Sequence, residues 1–304
     1  MTSRKAVRDP DGLSLYLEHR RKLVEKALLR AVPAATVRPA TIHRAMRYSL
    51  LAGGKRLRPL LTLAAAEACG ATDLNPVLPA ACAVELIHTY SLIHDDLPCM
   101  DDDDLRRGHP TSHKVFGEGV AVLAGDALLT QAFALIGRIK TPKRYPLSLF
   151  LEETAKAAGS LQLIAGQVAD MEAEGKKLSI SDVRFIHERK TAAMVVLSLR
   201  LGAMTADATP RQLKAVTDFG RALGLAFQII DDILDLTESS EQLGKSAGKD
   251  LKASKATYPA VIGLEASRKE AEIQTRKALR SLSLLGTRGL RLREIGEYLA
   301  TRKG

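Results

Sequence analysis

The sequence predicts an all-α fold built as one large helical bundle, and three observations carry that expectation. Apolar residues recur at helical intervals through most of the 304 residues, as at Leu13, Leu17, Leu23, Leu28 and Leu29, with charges on many positions between. Alternating Val, Ile, Thr and aromatic runs closed by tight turns are scarce, and Asp11-Gly12 sits in a polar lead rather than between strands. The segment Ala192 to Leu201 reads AAMVVLSLRL, apolar on more than one face, which suits a helix surrounded by others.

The elements follow from where this periodicity is interrupted. Breaks fall at Gly53-Gly54, Gly70 to Pro79, Lys140 to Pro146, Glu174 to Ser181, Ala206 to Pro210 and Thr237 to Ser254. Beyond the Leu13 to Leu29 helix, they leave Thr41 to Leu51, Leu60 to Cys69, Ala80 to His94, Ala121 to Ile139, Leu149 to Ala173, Ile180 to Leu201, Gln212 to Leu236, Tyr258 to Ala266 and Glu270 to Leu284 as helices. No low-complexity linker divides them, so residues 1–304 read as a single domain with 1–10 as a flexible lead.

Composition narrows the function classes. With 46% hydrophobic and 26% charged residues, disorder is excluded as the main state. Cys69, Cys82 and Cys99 lack any CxxC spacing, so neither a disulfide framework nor a zinc site is expected and a reducing cytoplasm fits. Met1 to Pro10 has no apolar core of a signal peptide. Val77 to Ile93, read as the most apolar long stretch, is interrupted by Glu85 and His88, so no membrane span is expected. A net charge of +10 admits nucleic acid, a membrane surface or a polyanionic small substrate. Six Tyr, six Phe and no Trp supply few stacking platforms, which counts against nucleic acid.

Two aspartate clusters carry the strongest chemical signal. Asp231 and Asp235 stand four residues apart in an apolar helix, about 40° apart and one turn removed on one face. Two carboxylates so placed repel unless a cation lies between them. Asp95, Asp96 and Asp101 to Asp104 crowd into ten positions, with Pro98 between the acidic pairs. In an unbroken helix Asp95 and Asp101 would diverge by about 120°, so a kink at Pro98 is expected to turn both to one mouth. Oxygen ligands without His or Cys at metal spacing favour magnesium, which typically bridges carboxylates to substrate phosphates.

Cations sit nearby in sequence. Gly53-Gly54-Lys55-Arg56-Leu57-Arg58-Pro59 presents three on a Gly-hinged loop, and Arg106 and Arg107 directly follow the first acidic cluster. His88, seven residues before Asp95, lies about 20° from it around the helix and is placed to donate to an anion.

In this order, Gly-Gly-Lys-Arg-Leu-Arg-Pro, the first aspartate cluster with Asp-Asp-Leu-Arg-Arg-Gly, Glu-Arg-Lys-Thr at 188–191 and Phe-Gln-Ile-Ile-Asp-Asp-Ile-Leu-Asp at 227–235 resemble the trans-isoprenyl diphosphate synthases, from about residue 40 to residue 265. The two residues Pro98 and Cys99 match an insertion shared by bacterial farnesyl diphosphate synthases and by geranylgeranyl diphosphate synthases of plant and bacterial type. The resemblance implies a bundle around a deep central cavity, normally homodimeric. It assigns Lys55, Arg58, His88 and Arg107 to isopentenyl diphosphate, and Asp95, Asp101 and Asp231, supported by Asp96 and Asp235, to three magnesium ions on the allylic diphosphate. Arg106, Lys190, Thr191, Gln228 and Lys245 complete the allylic site, while Gln167 lines the cavity without a firm role. It also makes Tyr90, five places before the first aspartate, a floor that stops elongation at fifteen carbons; helix geometry aligns Ser91 better, and its small side chain would favour twenty. The implied activity is head-to-tail condensation of isopentenyl diphosphate with dimethylallyl and geranyl diphosphates. The alternatives are a C20 synthase and a non-catalytic regulatory subunit.

Overall fold

A computed structural model describes residues 10–237 and 257–301. The flexible lead expected at 1–10 falls outside the described residues, apart from Pro10, which opens α1 (Pro10–Ala31). α2 (Ala40–Leu51), α3 (Leu57–Ala68) and α4 (Leu78–Asp95) follow. Pro59 and Pro79 fall in the first turns of α3 and α4, where a missing N–H costs no hydrogen bond.

Past α4 the chain makes a two-stranded antiparallel hairpin, β1 (Leu105–Arg106) with β2 (His109–Pro110), and a short α5 (Ser112–Phe116), none of which the periodicity announced. α6 (Glu118–Ile136) starts three residues before the expected Ala121. The helix expected over Leu149 to Ala173 is two, α7 (Leu147–Ala158) and α8 (Leu163–Ala173). Gly159, in extended geometry, ends the first. The run expected over Ile180 to Leu201 is α9 (Ile180–His187), a π-helical turn (Glu188–Ala192) and α10 (Ala193–Thr205). Ser179 and Asp182 close a capping box that fixes the start of α9.

α11 (Pro210–Thr237) is the longest of the described helices. The helix expected at Tyr258 to Ala266 breaks at Gly263, whose φ of +82° separates α12 (Tyr258–Ile262) from α13 (Leu264–Ser281). α14 (Leu290–Thr301) was not foreseen.

Burial sets the layers. α4 is sheathed by α3, α6 and α10, and α10 is in turn flanked by α3 and α11. One core cluster gathers Ile87, Tyr90 and Ile93 of α4 with Leu128 of α6 and Leu197 and Leu201 of α10. A second joins Leu61 of α3, Leu199 of α10, Phe219 and Leu223 of α11 and Leu292 and Ile295 of α14. Asn75–Asp95 and Glu118–Ile136 are long and apolar enough to cross a membrane by length and composition alone, with mean hydropathy 1.3 and 1.7. α6, not Val77 to Ile93, is therefore the more apolar stretch, and it is also the less covered of the two.

Candidate active site

The cationic wall is built where α3 begins. Gly53 and Gly54 take φ of +85° and +127°, and a Cβ on Gly54 would lie 2.7 Å from the Arg107 guanidinium. That close approach lets Arg107 Nη1 donate to the Gly53 carbonyl. Arg107 reaches the loop from the hairpin tip, where it and Gly108 hold φ of +55° and +78°. Lys55 is exposed and Arg58 half-buried.

Arg56 departs from its reading as a third loop cation. It is 3% exposed and turned inward, with Nη1 donating to Glu85 Oε1 at 2.8 Å and Nη2 to the Leu50 carbonyl at 2.8 Å. The Arg58 Nε is buried and has no hydrogen-bond acceptor among the described residues. Burial lowers the Arg58 pKa, and Arg107 adds to this while Glu85 opposes it. His88 faces the same group: burial, then Arg58, Arg107, Arg106 and Arg56, hold its imidazole well below the usual pKa, so it is neutral. Such a wall, with a guanidinium N–H lacking an acceptor, is complementary to an anion.

The acidic wall stands at the end of α4. The helix stops at Asp95, one residue past the expected His94, and Leu97 to Met100, with Pro98 among them, turn back so that Asp101 N donates to the Asp95 carbonyl at 2.9 Å and Asp103 N to that of Asp96 at 3.2 Å. Asp102 completes the turn with φ of +45°. Arg106 then folds over the cluster, its Nε donating to Asp96 Oδ1 at 2.9 Å and its Nη2 to Asp103 Oδ2 at 3.2 Å. Asp96 is 3% exposed and turned toward Arg106. Asp95 is pushed up to about 6, first by burial, with Asp101 and Asp96 adding repulsion and Lys190 and Arg106 opposing it. Partly desolvated carboxylates crowded by others are a donor set suited to a hard divalent cation, so magnesium fits here. Among the described residues no three His, Cys, Asp or Glu side chains already form a cage. Magnesium commonly completes its shell with water and substrate phosphate rather than with protein alone.

The third wall joins α8, the π turn and α11. A Cβ on Gly166 would lie 2.3 Å from the Lys190 backbone N, so only glycine lets α8 come this close to the turn. Lys190 Nζ donates to Asp170 Oδ2 at 2.7 Å, and Gln167 lies half-buried beside Gly166. Thr191 Oγ1 donates to Gln228 Oε1 at 2.8 Å, tying the turn to α11. Because Lys190 also acts on Asp95, the turn spans between the two aspartate clusters.

In α11 the neighbouring aspartates divide. Asp231 and Asp235 are partly exposed, whereas Asp232 is 4% exposed and accepts from the Tyr258 backbone N at 2.9 Å while pairing with His187 Nε2 at 2.8 Å. Asp232, His187, Asp170, Glu85 and Gly166 support the site and had drawn no role from sequence. The only advance signal was their place inside or beside the motifs. Lys245 and the C-terminal Arg302-Lys303 lie outside the described residues.

Below Asp95, Tyr90 is 5% exposed and meets His94 edge-on with ring centroids 5.7 Å apart. Burial, then Asp95, raises its phenol to about 12. Ser91 turns its hydroxyl back onto its own helix, donating to the His88 carbonyl at 3.0 Å.

Basic groups on one side and clustered carboxylates on the other, inside an apolar helical bundle, suit substrates that join a diphosphate to a hydrocarbon. The polyprenyl synthetase family model matches residues 39–283. Fold and site thus define a trans-prenyltransferase. The chain belongs to the polyprenyl synthetase family. It is 48% identical over 290 residues to the farnesyl diphosphate synthase of Geobacillus stearothermophilus, covering 94% of this chain and 97% of that protein. It is 52% identical over 271 residues to a heterodimeric geranylgeranyl pyrophosphate synthase large subunit of Arabidopsis thaliana, covering 86% and 72%. Among solved structures, the geranylgeranyl pyrophosphate synthetase of Pyrococcus horikoshii superposes with a TM-score of 0.88 at 29% identity, covering 97% of this chain and all of that one.

Proposed function

We propose that the protein condenses isopentenyl diphosphate with dimethylallyl and then geranyl diphosphate to give farnesyl diphosphate. The observation that carries the fifteen-carbon product is Tyr90, a buried aromatic five residues before Asp95 on α4. Ser91 and the plant geranylgeranyl pyrophosphate synthases favour the second reading, a twenty-carbon product.

Lys55, Arg58, His88 and Arg107 bind the acceptor diphosphate, the neutral imidazole donating one hydrogen bond where a charged one would crowd the guanidiniums. Asp95, Asp101 and Asp231, with Asp96 and Asp235 behind them, would hold three magnesium ions, which when bound would supply the positive charge that stabilises the departing allylic diphosphate. Arg106, Lys190, Thr191, Gln228 and Lys245 contact that diphosphate. Lys190 adds a fixed positive charge, and Asp170 holds it in position. Lys190 and Gln228 lie near the reacting carbon, and Thr191 braces Gln228 by its hydrogen bond. Allylic ionisation leaves a carbocation that water would trap, so the apolar faces of α4, α6 and α10 serve by excluding it.

The chain acts as one synthase domain, soluble in the cytoplasm, with small isoprenoid diphosphates rather than nucleic acid as partners. It works as a homodimer. Leu123 on α6 and Leu161, Val168 and Met171 on or beside α8 are exposed apolar residues that a second copy would cover. Sedimentation at micromolar concentration should give the dimer mass. A product assay with dimethylallyl and isopentenyl diphosphates plus magnesium should give a fifteen-carbon alcohol after dephosphorylation. A twenty-carbon product would reassign the floor, and no magnesium-dependent product would return the chain to a regulatory role.

A further inference from the structure

A cavity of about 590 Å³ opens between α7, the π turn, α10 and α11, and none of the roles above uses it. Its walls carry four cations, Lys156, Arg189, Arg200 and Arg221, against two carboxylates, Glu153 and Glu188. Both carboxylates are already neutralised. Arg200 Nε donates to Glu153 Oε2 at 2.9 Å, with a second bond from Nη2 to Oε1, and Arg184 Nε donates to Glu188 Oε1 at 2.8 Å. Arg200 also donates to Thr217 at 2.9 Å, so it is fully engaged. Lys156 and Arg221 make no ion pair or hydrogen bond among the described residues, and Arg189 only overlies the Phe185 ring, 4.8 Å from its centroid. The exposed Lys156 and Arg221 and the partly exposed Arg189 therefore border one open cavity without a carboxylate partner among the described residues, beside apolar patches from Ala192, Val196 and Leu197. Cations that border one opening without carboxylate partners of their own offer charged donors to an incoming anion.

We propose that this cavity is a second binding site, distinct from the reaction site, for a small phosphorylated anion bearing a short apolar portion. Lys156, Arg189 and Arg221 take the phosphate oxygens. The site has a physical route to catalysis: Arg189 and Ala192 border the cavity from the same five-residue π turn whose Lys190 and Thr191 contact Asp170 and Gln228 on the other side. An occupant that draws Arg189 toward it shifts that turn, so the site is regulatory.

Equilibrium dialysis of the magnesium-free full chain against radiolabelled inorganic diphosphate tests this. The Lys156→Glu/Arg221→Glu double variant should bind one equivalent per chain fewer than the wild type, with turnover at saturating substrate within twofold. An unchanged stoichiometry overturns the proposal. A second measurement needs no variant: acylation of Lys156 in the wild-type protein, followed by peptide mass spectrometry, should slow at least threefold with saturating diphosphate. An unaltered rate overturns the proposal equally, whether or not the double variant folds.

Discussion

Removing Glu85 tests the idea that one buried carboxylate holds the cationic wall together. Its side chain is 2% exposed and that of its partner Arg56 is 1% exposed, so Glu85→Ala leaves a guanidinium buried with only the Leu50 carbonyl as partner. Breaking a buried ion pair from one side costs about 3–5 kcal/mol, which for a chain of this length is a fall in Tm of roughly 5–8 °C. The loss extends further, because Glu85 also favours the charged forms of Arg58 and Arg107. Without it the buried Arg56 charge behind Arg58 and Arg107 is left uncompensated, and the KM for isopentenyl diphosphate should rise at least tenfold with a smaller change for the allylic substrate. Glu85→Gln keeps a hydrogen-bond acceptor but not the charge, and should recover part of the stability and little of the KM. Urea unfolding and steady-state kinetics on both variants read the two effects separately. A stability loss under 1 kcal/mol for Glu85→Ala, or equal KM changes for both substrates, would refute the reasoning.

Asp95→Ala and Asp231→Ala should each remove nearly all turnover while circular dichroism and Tm stay close to wild type, and full activity in either sinks the metal assignment. Tyr90→Ala opens the floor beside Asp95 and should move the main product from fifteen to twenty carbons or beyond, read by sizing the dephosphorylated alcohols. Gly166→Ala sets a methyl against the Lys190 backbone and should cost about 1–3 kcal/mol with a fall in kcat larger than any change in KM. Asp232→Ala releases both the Tyr258 N–H and His187 and should destabilise by about 2–4 kcal/mol; an unchanged unfolding midpoint would make Asp232 a ligand instead of a brace.

The bundle was legible because its helices bury apolar faces that recur at a plain helical period, and the aspartate clusters because carboxylates are costly in apolar company. What stayed hidden depended on backbone torsions and close approaches that composition does not record. The split at Gly159 interrupts a run whose periodicity continues on both sides, and α14 carries its core contacts on few residues, among them Leu292, Ile295 and Leu299, amid Arg and Glu. The end of α4 was legible to within one residue, at Asp95 against the expected His94, but the path of the chain through Pro98 was not. Arg56 and Asp232 looked like their motif neighbours, and only burial separated the inward member of each set from the outward ones.

The π turn at Glu188–Ala192 sets the rotational phase between two stretches of helix that serve different masters. Upstream, His187 is keyed to Asp232, and downstream Met194, Leu197 and Leu201 are keyed to the core. A π turn closes i→i+5 bonds where an α turn closes i→i+4, so it takes up one extra residue, and deleting one residue within it lets the segment revert to α geometry with both flanking faces close to their present phase. Single-residue deletions are often absorbed where a loop joins two elements. Here the extra residue lies inside a continuous rod, and a deletion would draw the widened turn back into regular helix, leaving the flanks in place while removing the display of Lys190 toward Asp170 and of Thr191 toward Gln228.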